Sequence, residues 1–120
     1  MGRVRSLFTA VLAVSLVAGL AGCAPAKLDV SDVAGIIDVR SPESFAESHI
    51  TGAINIDYSS ADFLANSTSL RKTDKYFVYG ESSEQAGEAS ADLISIGVSD
   101  ITNLGSFEDA LNVLPLGATN

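Results

Sequence analysis

Asp38-Val39-Arg40-Ser41-Pro42-Glu43-Ser44-Phe45, followed by His49-Ile50-Thr51-Gly52-Ala53-Ile54-Asn55-Ile56, is the stretch on which the reading of this 120-residue chain turns. Just upstream, Val33-Ala34-Gly35-Ile36-Ile37-Asp38-Val39 is an apolar run rich in β-branched residues that ends in polar groups, the pattern of a buried strand. Ser41-Pro42 then offers a capping hydroxyl and a proline at the first helical position, where its missing N–H costs nothing. Phe45 and His49 fall on one face of the short helix this starts. Gly52-Ala53-Ile54-Asn55-Ile56 reads as a second short strand.

Working outward, the same alternation repeats. Ala61 to Ala65 reads as a helical turn or two before the polar loop Asn66-Ser67-Thr68-Ser69, and Lys75-Tyr76-Phe77-Val78-Tyr79 is the clearest strand. Ser82 and Gln85 fit a capping box, each side chain satisfying the other's backbone donor at a helix start. Ala86, Ala89, Leu93 and Ile96 recur at helical spacing as far as Gly97, a C-terminal stop. Asp100 to Leu104 forms a last strand, and Phe107, Ala110, Leu111 and Leu114 form a helical stripe that Pro115 terminates. Strand and helix alternate throughout without internal repeats. This predicts an α/β fold, a small parallel sheet covered by helices on both faces, with any ligand at loops beyond the carboxyl ends of the strands.

The opening stretch resembles the paired signature of the rhodanese-like domain: Asp-x-Arg, an acidic-aromatic helix, then His-Ile-x-Gly-Ala-x-Asn. The spacing matches without gaps. The resemblance continues more weakly through Tyr76-Phe77-Val78-Tyr79, Ala89, Leu93, Gly97 and Leu104-Gly105-Ser106-Phe107, and so covers nearly all of the chain after residue 30. It implies a three-layer rhodanese-like domain over residues 31–120. The signature residues Asp38, Arg40, Glu43, His49, Gly52 and Ala53 each have a structural role that suffices without catalysis. Asp38 is placed to accept backbone donors at a strand end. Arg40 and Glu43 are placed to pair near a helix start, His49 to close its helix by a local hydrogen bond, and Gly52 to supply a turn conformation.

In active members of the family, the strand corresponding to Lys75–Tyr79 leads directly into a loop that starts with cysteine and commonly ends with arginine. Here those six residues are Gly80-Glu81-Ser82-Ser83-Glu84-Gln85. The family chemistry takes a sulfane sulfur from a donor onto a thiolate, forming a persulfide, and loop amides at a helix N-terminus lower the thiol pKa. Glycine at position 80 has no side chain for this. Gln85 stands where the arginine is usual, and Glu81 and Glu84 add negative charge where an anionic donor such as thiosulfate would approach. Ser82 and Ser83 form no persulfides, and the sequence places no base beside them for hydrolysis. The expectation is therefore no catalytic residue, with Gly80–Gln85 as a binding loop. The alternative is a sulfurtransferase that uses a non-standard or partner-supplied thiol.

The chain's only cysteine lies elsewhere. Arg3 and Arg5 precede an apolar run from Leu7 to Leu20, and Leu20-Ala21-Gly22-Cys23 resembles the lipobox of bacterial lipoproteins. The run is short for a permanent membrane span, and its small terminal residues suit a peptidase. Residues 1–22 are thus expected to be a lipoprotein signal peptide, Cys23 the lipidated residue and 23–30 a tether. A plain secretory signal or an uncleaved anchor is the alternative. Removal of the signal takes Arg3 and Arg5 from seven basic residues and leaves fifteen acidic ones, about −10 net. Such a surface repels phosphate backbones and anionic headgroups, so nucleic-acid binding is disfavoured and the lipid has to anchor the chain. With one cysteine and one histidine there is no intramolecular disulfide and no Cys/His metal motif, and neither metal nor other cofactor is expected. The predicted whole is a lipid-anchored domain on the extracytoplasmic face of a bacterial membrane, acting as a binding or structural module with an unidentified protein as the candidate partner; a surface spacer without a specific ligand is a further alternative.

Overall fold

The structure, a computed structural model, describes residues 26–120. The proposed signal peptide and Cys23 lie outside the described residues, as does the start of the proposed tether. Four parallel strands form the central sheet in the order β3-β1-β4-β5, with β1 at Gly35–Asp38, β3 at Ile54–Asn55, β4 at Lys75–Gly80 and β5 at Asp100–Ser106. The helices are α1 at Pro42–Glu47, α2 at Phe63–Asn66, α3 at Ser83–Ser95 and α4 at Phe107–Val113. Two further strands, β2 at His49–Ile50 and β6 at Ala118–Thr119, pair antiparallel beside the main sheet.

Side chains alternating along the central strands build a core on each face. Tyr76 and Val78 of β4 join Ile37 of β1 against Phe63 of α2 and Ala86, Ala89 and Leu93 of α3. Phe77 and Tyr79 join Ile36 against Ala110 and Leu114 on the α4 side. Both layers of helices predicted from the sequence are present. Small Ala86 and Ala89, each fully buried, let α3 lie close to β4. Gly97, at φ +104°, ends α3: Val98 N–H donates to Leu93 O and Gly97 N–H to Ile94 O, the paired bonds of a Schellman motif.

Several boundaries differ from the sequence reading. β1 is shorter than Val33–Val39, because Val33 and Ala34 precede the ladder. The second helix begins at Phe63 rather than Ala61, held off by a turn in which Phe63 N–H donates to Ser60 O. β4 extends through Gly80 and β5 through Ser106. Near the end of β5 the register shifts: Val78 faces Asn103, but Tyr79 faces Gly105. Leu104 is the extra residue of this bulge. Gly105, at φ +90°, takes the backbone conformation it demands, and its N–H donates to Asn103 Oδ1 at 2.8 Å.

Candidate functional site

β1 and β4 are neighbours at the centre of the sheet, and the chain leaves them toward opposite sides: β3 lies beyond β1 and β5 beyond β4. Their carboxyl ends form a topological switch point, where the outgoing loops diverge and where open α/β sheets place their ligands. Asp38 and Arg40 leave β1 here, Tyr79 and Gly80 end β4, and Ser106 and Phe107 follow the bulge in β5.

Arg40 and Asp38 form the buried centre of this region, 6% and 0% exposed. The Arg40 backbone N–H donates to Asp38 Oδ1 at 2.9 Å and Nη2 donates to Oδ2 at 2.8 Å. Nε lies 3.1 Å from each carboxylate oxygen. Nη2 also donates to Ser48 O at 2.6 Å, and the guanidinium stacks over Phe107, 4.3 Å from the ring centre. Burial opposes the Arg40 charge, but the Asp38 hydrogen bonds and charge outweigh it and hold the guanidinium above its ordinary pKa. Asp38 therefore serves the arginine more than the neighbouring loop. Glu43 does not pair with Arg40 as expected. It is exposed in the first turn of α1, while the guanidinium is enclosed by Asp38, Ser48 and Phe107. Glu81 is instead the second carboxylate beside Arg40, at 4.0 Å.

Tyr79, fully buried, holds the floor. Its hydroxyl accepts the Ile50 N–H at 3.0 Å, and burial drives its phenol well above the usual pKa against the pull of that hydrogen bond. His49 lies on β2, beyond the end of α1 rather than on the helix, and is held by local contacts. Its ring stacks on Phe45 with centres 3.7 Å apart, and Nδ1 lies 2.7 Å from Phe45 O. Because a carbonyl only accepts, Nδ1 carries the proton. Gly52 has φ +87°, the turn conformation expected of it, and Ala53 is buried beside it.

Gly80 is buried, whereas Glu81, Ser82, Ser83 and Glu84 are exposed and Gln85 is half-buried. Ser82 caps α3, its Oγ accepting the Gln85 N–H at 3.1 Å. The predicted capping box is only half formed, because Gln85 Oε1 accepts the Glu81 N–H at 2.8 Å rather than that of Ser82. The complete box lies at α4: Ser106 Oγ accepts the Asp109 N–H and Asp109 Oδ2 accepts the Ser106 N–H, each at 3.1 Å. Its Ser-x-x-Asp spacing was the available sequence signal. Phe107 was legible only as part of a helical stripe, and nothing local marked it as the lid on Arg40.

Two cavities lie at the opposite, amino end of the sheet, one of about 380 Å³ between Asp32, Asp74, Lys75 and Asp100 and one of about 230 Å³ between Val30, Val33, Gly52 and Leu116. Of the signature residues only Gly52 lines either of them, and Asp38, Arg40 and Gly80 line neither. Among the described residues no group of three or more His, Cys, Asp or Glu side chains is arranged to hold a metal ion, and no helix is long and apolar enough to cross a membrane.

This fold and signature define a rhodanese-like domain, whose family model matches residues 21–112. The chain belongs to that family. It is 39% identical over 84 residues to the thiosulfate sulfurtransferase GlpE of Pseudomonas putida, covering 68% of this chain and 74% of the relative. To the thiosulfate sulfurtransferase PspE of Escherichia coli it is 33% identical over 73 residues, covering 61% and 70%. Among solved structures it is similar to the rhodanese-like domain of the Alr3790 protein from Anabaena sp., with a TM-score of 0.63 at 27% identity over 90% of this chain and 94% of that one. An anion-containing rhodanese from E. coli has a TM-score of 0.59 at 28% identity, over 72% and 96%.

Proposed function

We propose that this protein is a non-catalytic rhodanese-like module, held on the extracytoplasmic face of a bacterial membrane by lipid on Cys23, that binds a protein partner through the loop Gly80–Gln85. One observation carries the loss of catalysis: Gly80, at the buried end of β4 and two residues before the N-cap of α3, stands where the family chemistry needs a thiol. The chain's only cysteine, Cys23, precedes the first strand. The surroundings support the same reading. Arg40, the cation nearest the loop, is committed to Asp38 and Ser48, while exposed Glu81 and Glu84 repel a small anion. The exposed acidic loop suits a cationic segment of a partner protein.

The similarity to the two thiosulfate sulfurtransferases favours a second reading, sulfur transfer with a thiol supplied by a partner. Thiosulfate-to-cyanide transfer by the full chain, alone and with membrane extract added, separates the two. The module reading predicts no thiocyanate above the blank in either case. Turnover by the chain alone overturns it, and turnover only with extract supports the partner-supplied thiol.

A further inference from the structure

Gln85 makes a contact that helix capping does not require. Ser82 Oγ already takes the Gln85 N–H, and a reciprocal cap would bring the Gln85 side chain back to the Ser82 N–H. Instead Oε1 reaches one residue further and accepts the Glu81 N–H at 2.8 Å. The carboxamide then lies across Gly80. A Cβ added at Gly80 would stand 2.7 Å from Gln85 Oε1, compared with 3.2 Å from Ala86 N and 3.2 Å from Val39 Cγ2. The carboxamide is thus the group that has to move before residue 80 can carry a side chain. Ala86 N is helix backbone, and Val39 belongs to the packed core.

We propose that Gln85 is a blocking residue, its carboxamide oxygen filling the space that a side chain at position 80 would enter and holding the Glu81 N–H that would otherwise face it. The inference rests on the reading of Gly80 as the nucleophile position and sharpens it. The loop has lost its thiol, and a side chain regained at position 80 has first to displace the Gln85 carboxamide. What it offers outward is Glu81, Ser82, Ser83 and Glu84, and small anionic sulfur donors find the loop amide at Glu81 already taken.

The test introduces the thiol with and without the block. Gly80→Cys and Gly80→Cys with Gln85→Ala, both in the full chain, are treated with thiosulfate and followed by mass spectrometry. In the capture step the new thiolate attacks the outer sulfur of thiosulfate. A sulfur–sulfur bond to the protein forms, that of thiosulfate breaks, and sulfite leaves with the electron pair. The double variant is expected to capture sulfur about tenfold faster than the single one, the scale of one hydrogen bond removed. Equal rates would overturn the proposal. A purely capping role for Gln85 predicts no such gain, since losing a cap only destabilises.

Amide hydrogen exchange of Gln85→Ala alone provides a second readout. Exchange at Glu81 is expected to rise about tenfold over the unmodified protein, and unchanged exchange would overturn the proposal. If Glu81 exchange rises but neither cysteine variant captures sulfur, the carboxamide's hold on the loop stands. The assignment of position 80 to the nucleophile then fails, so the two failures are distinct.

Discussion

Asp38 and Arg40 stand two positions apart on a strand end, which lets the carboxylate hold both the backbone N–H and the side chain of Arg40. A buried ion pair of this kind contributes modestly as a pair, yet breaking it is costly because it strands an uncompensated charge. Asp38→Asn is expected to lower stability by about 3–5 kcal/mol in denaturant unfolding, and Glu43→Gln, removing an exposed carboxylate, by less than about 0.5 kcal/mol. Equal effects would contradict the assignment of Asp38, not Glu43, as the partner of Arg40. The sequence showed both carboxylates near Arg40 but not which one the strand's geometry brings to it. Similarly, Ser82 and Gln85 had capping-box spacing, yet the side chain of Gln85 goes to Glu81 across a Gly80 that has no Cβ to stop it. Spacing alone does not register a missing side chain two positions before the cap.

At the scale of elements, the alternation of β-branched runs with helical stripes was legible, because a strand buried on both faces and a helix with one apolar face leave different periods in the sequence. Ala86, Ala89 and Leu93 fill the face assigned to them, and Gly97 ends the helix. The β2–β6 pair was not legible. Each strand is two residues long, and their partners are brought together only by the tertiary fold. The bulge at Leu104 leaves no local signal either, although it precedes the complete capping box at α4. There the Ser106 backbone N–H, first of all, and its side chain hold the Asp109 carboxyl below its ordinary value. A carboxylate lowered in the folded state stabilises it above the unfolded pKa, and that contribution is lost as pH falls through the lower folded value. Asp109→Asn is therefore expected to flatten the acid side of the stability profile below about pH 4 and to leave neutral-pH cooperativity intact. An unchanged acid limb would contradict the box. Ser106→Ala is expected to cost about 1 kcal/mol in the same unfolding measurement.

For the whole molecule, charge is unevenly distributed. Lys27, Arg71, Lys72 and Lys75 lie near the amino end of the sheet with Asp29, Asp32, Asp74 and Asp100, where Arg71 pairs with Asp74 and Lys75 with Asp32. Of the five basic residues after Cys23 only Arg40 lies elsewhere, so the excess negative charge falls on the remainder, including the exposed loop after β4. Electrostatic attraction to anionic headgroups then contributes little, and under the proposed anchoring the lipid on Cys23 would have to supply membrane retention. The protein is expected to stay with membranes through a high-salt wash, and its N-terminal peptide to begin at an acylated Cys23. Release by salt, or a mature N-terminus with an unmodified thiol, would contradict the tether. The central claim, that this rhodanese-like chain lacks the means to capture sulfur, is tested most directly by intact-mass measurement of the protein isolated from membranes and incubated with thiosulfate. The account predicts an unchanged mass. A gain of one sulfur atom, removable by cyanide, would contradict it.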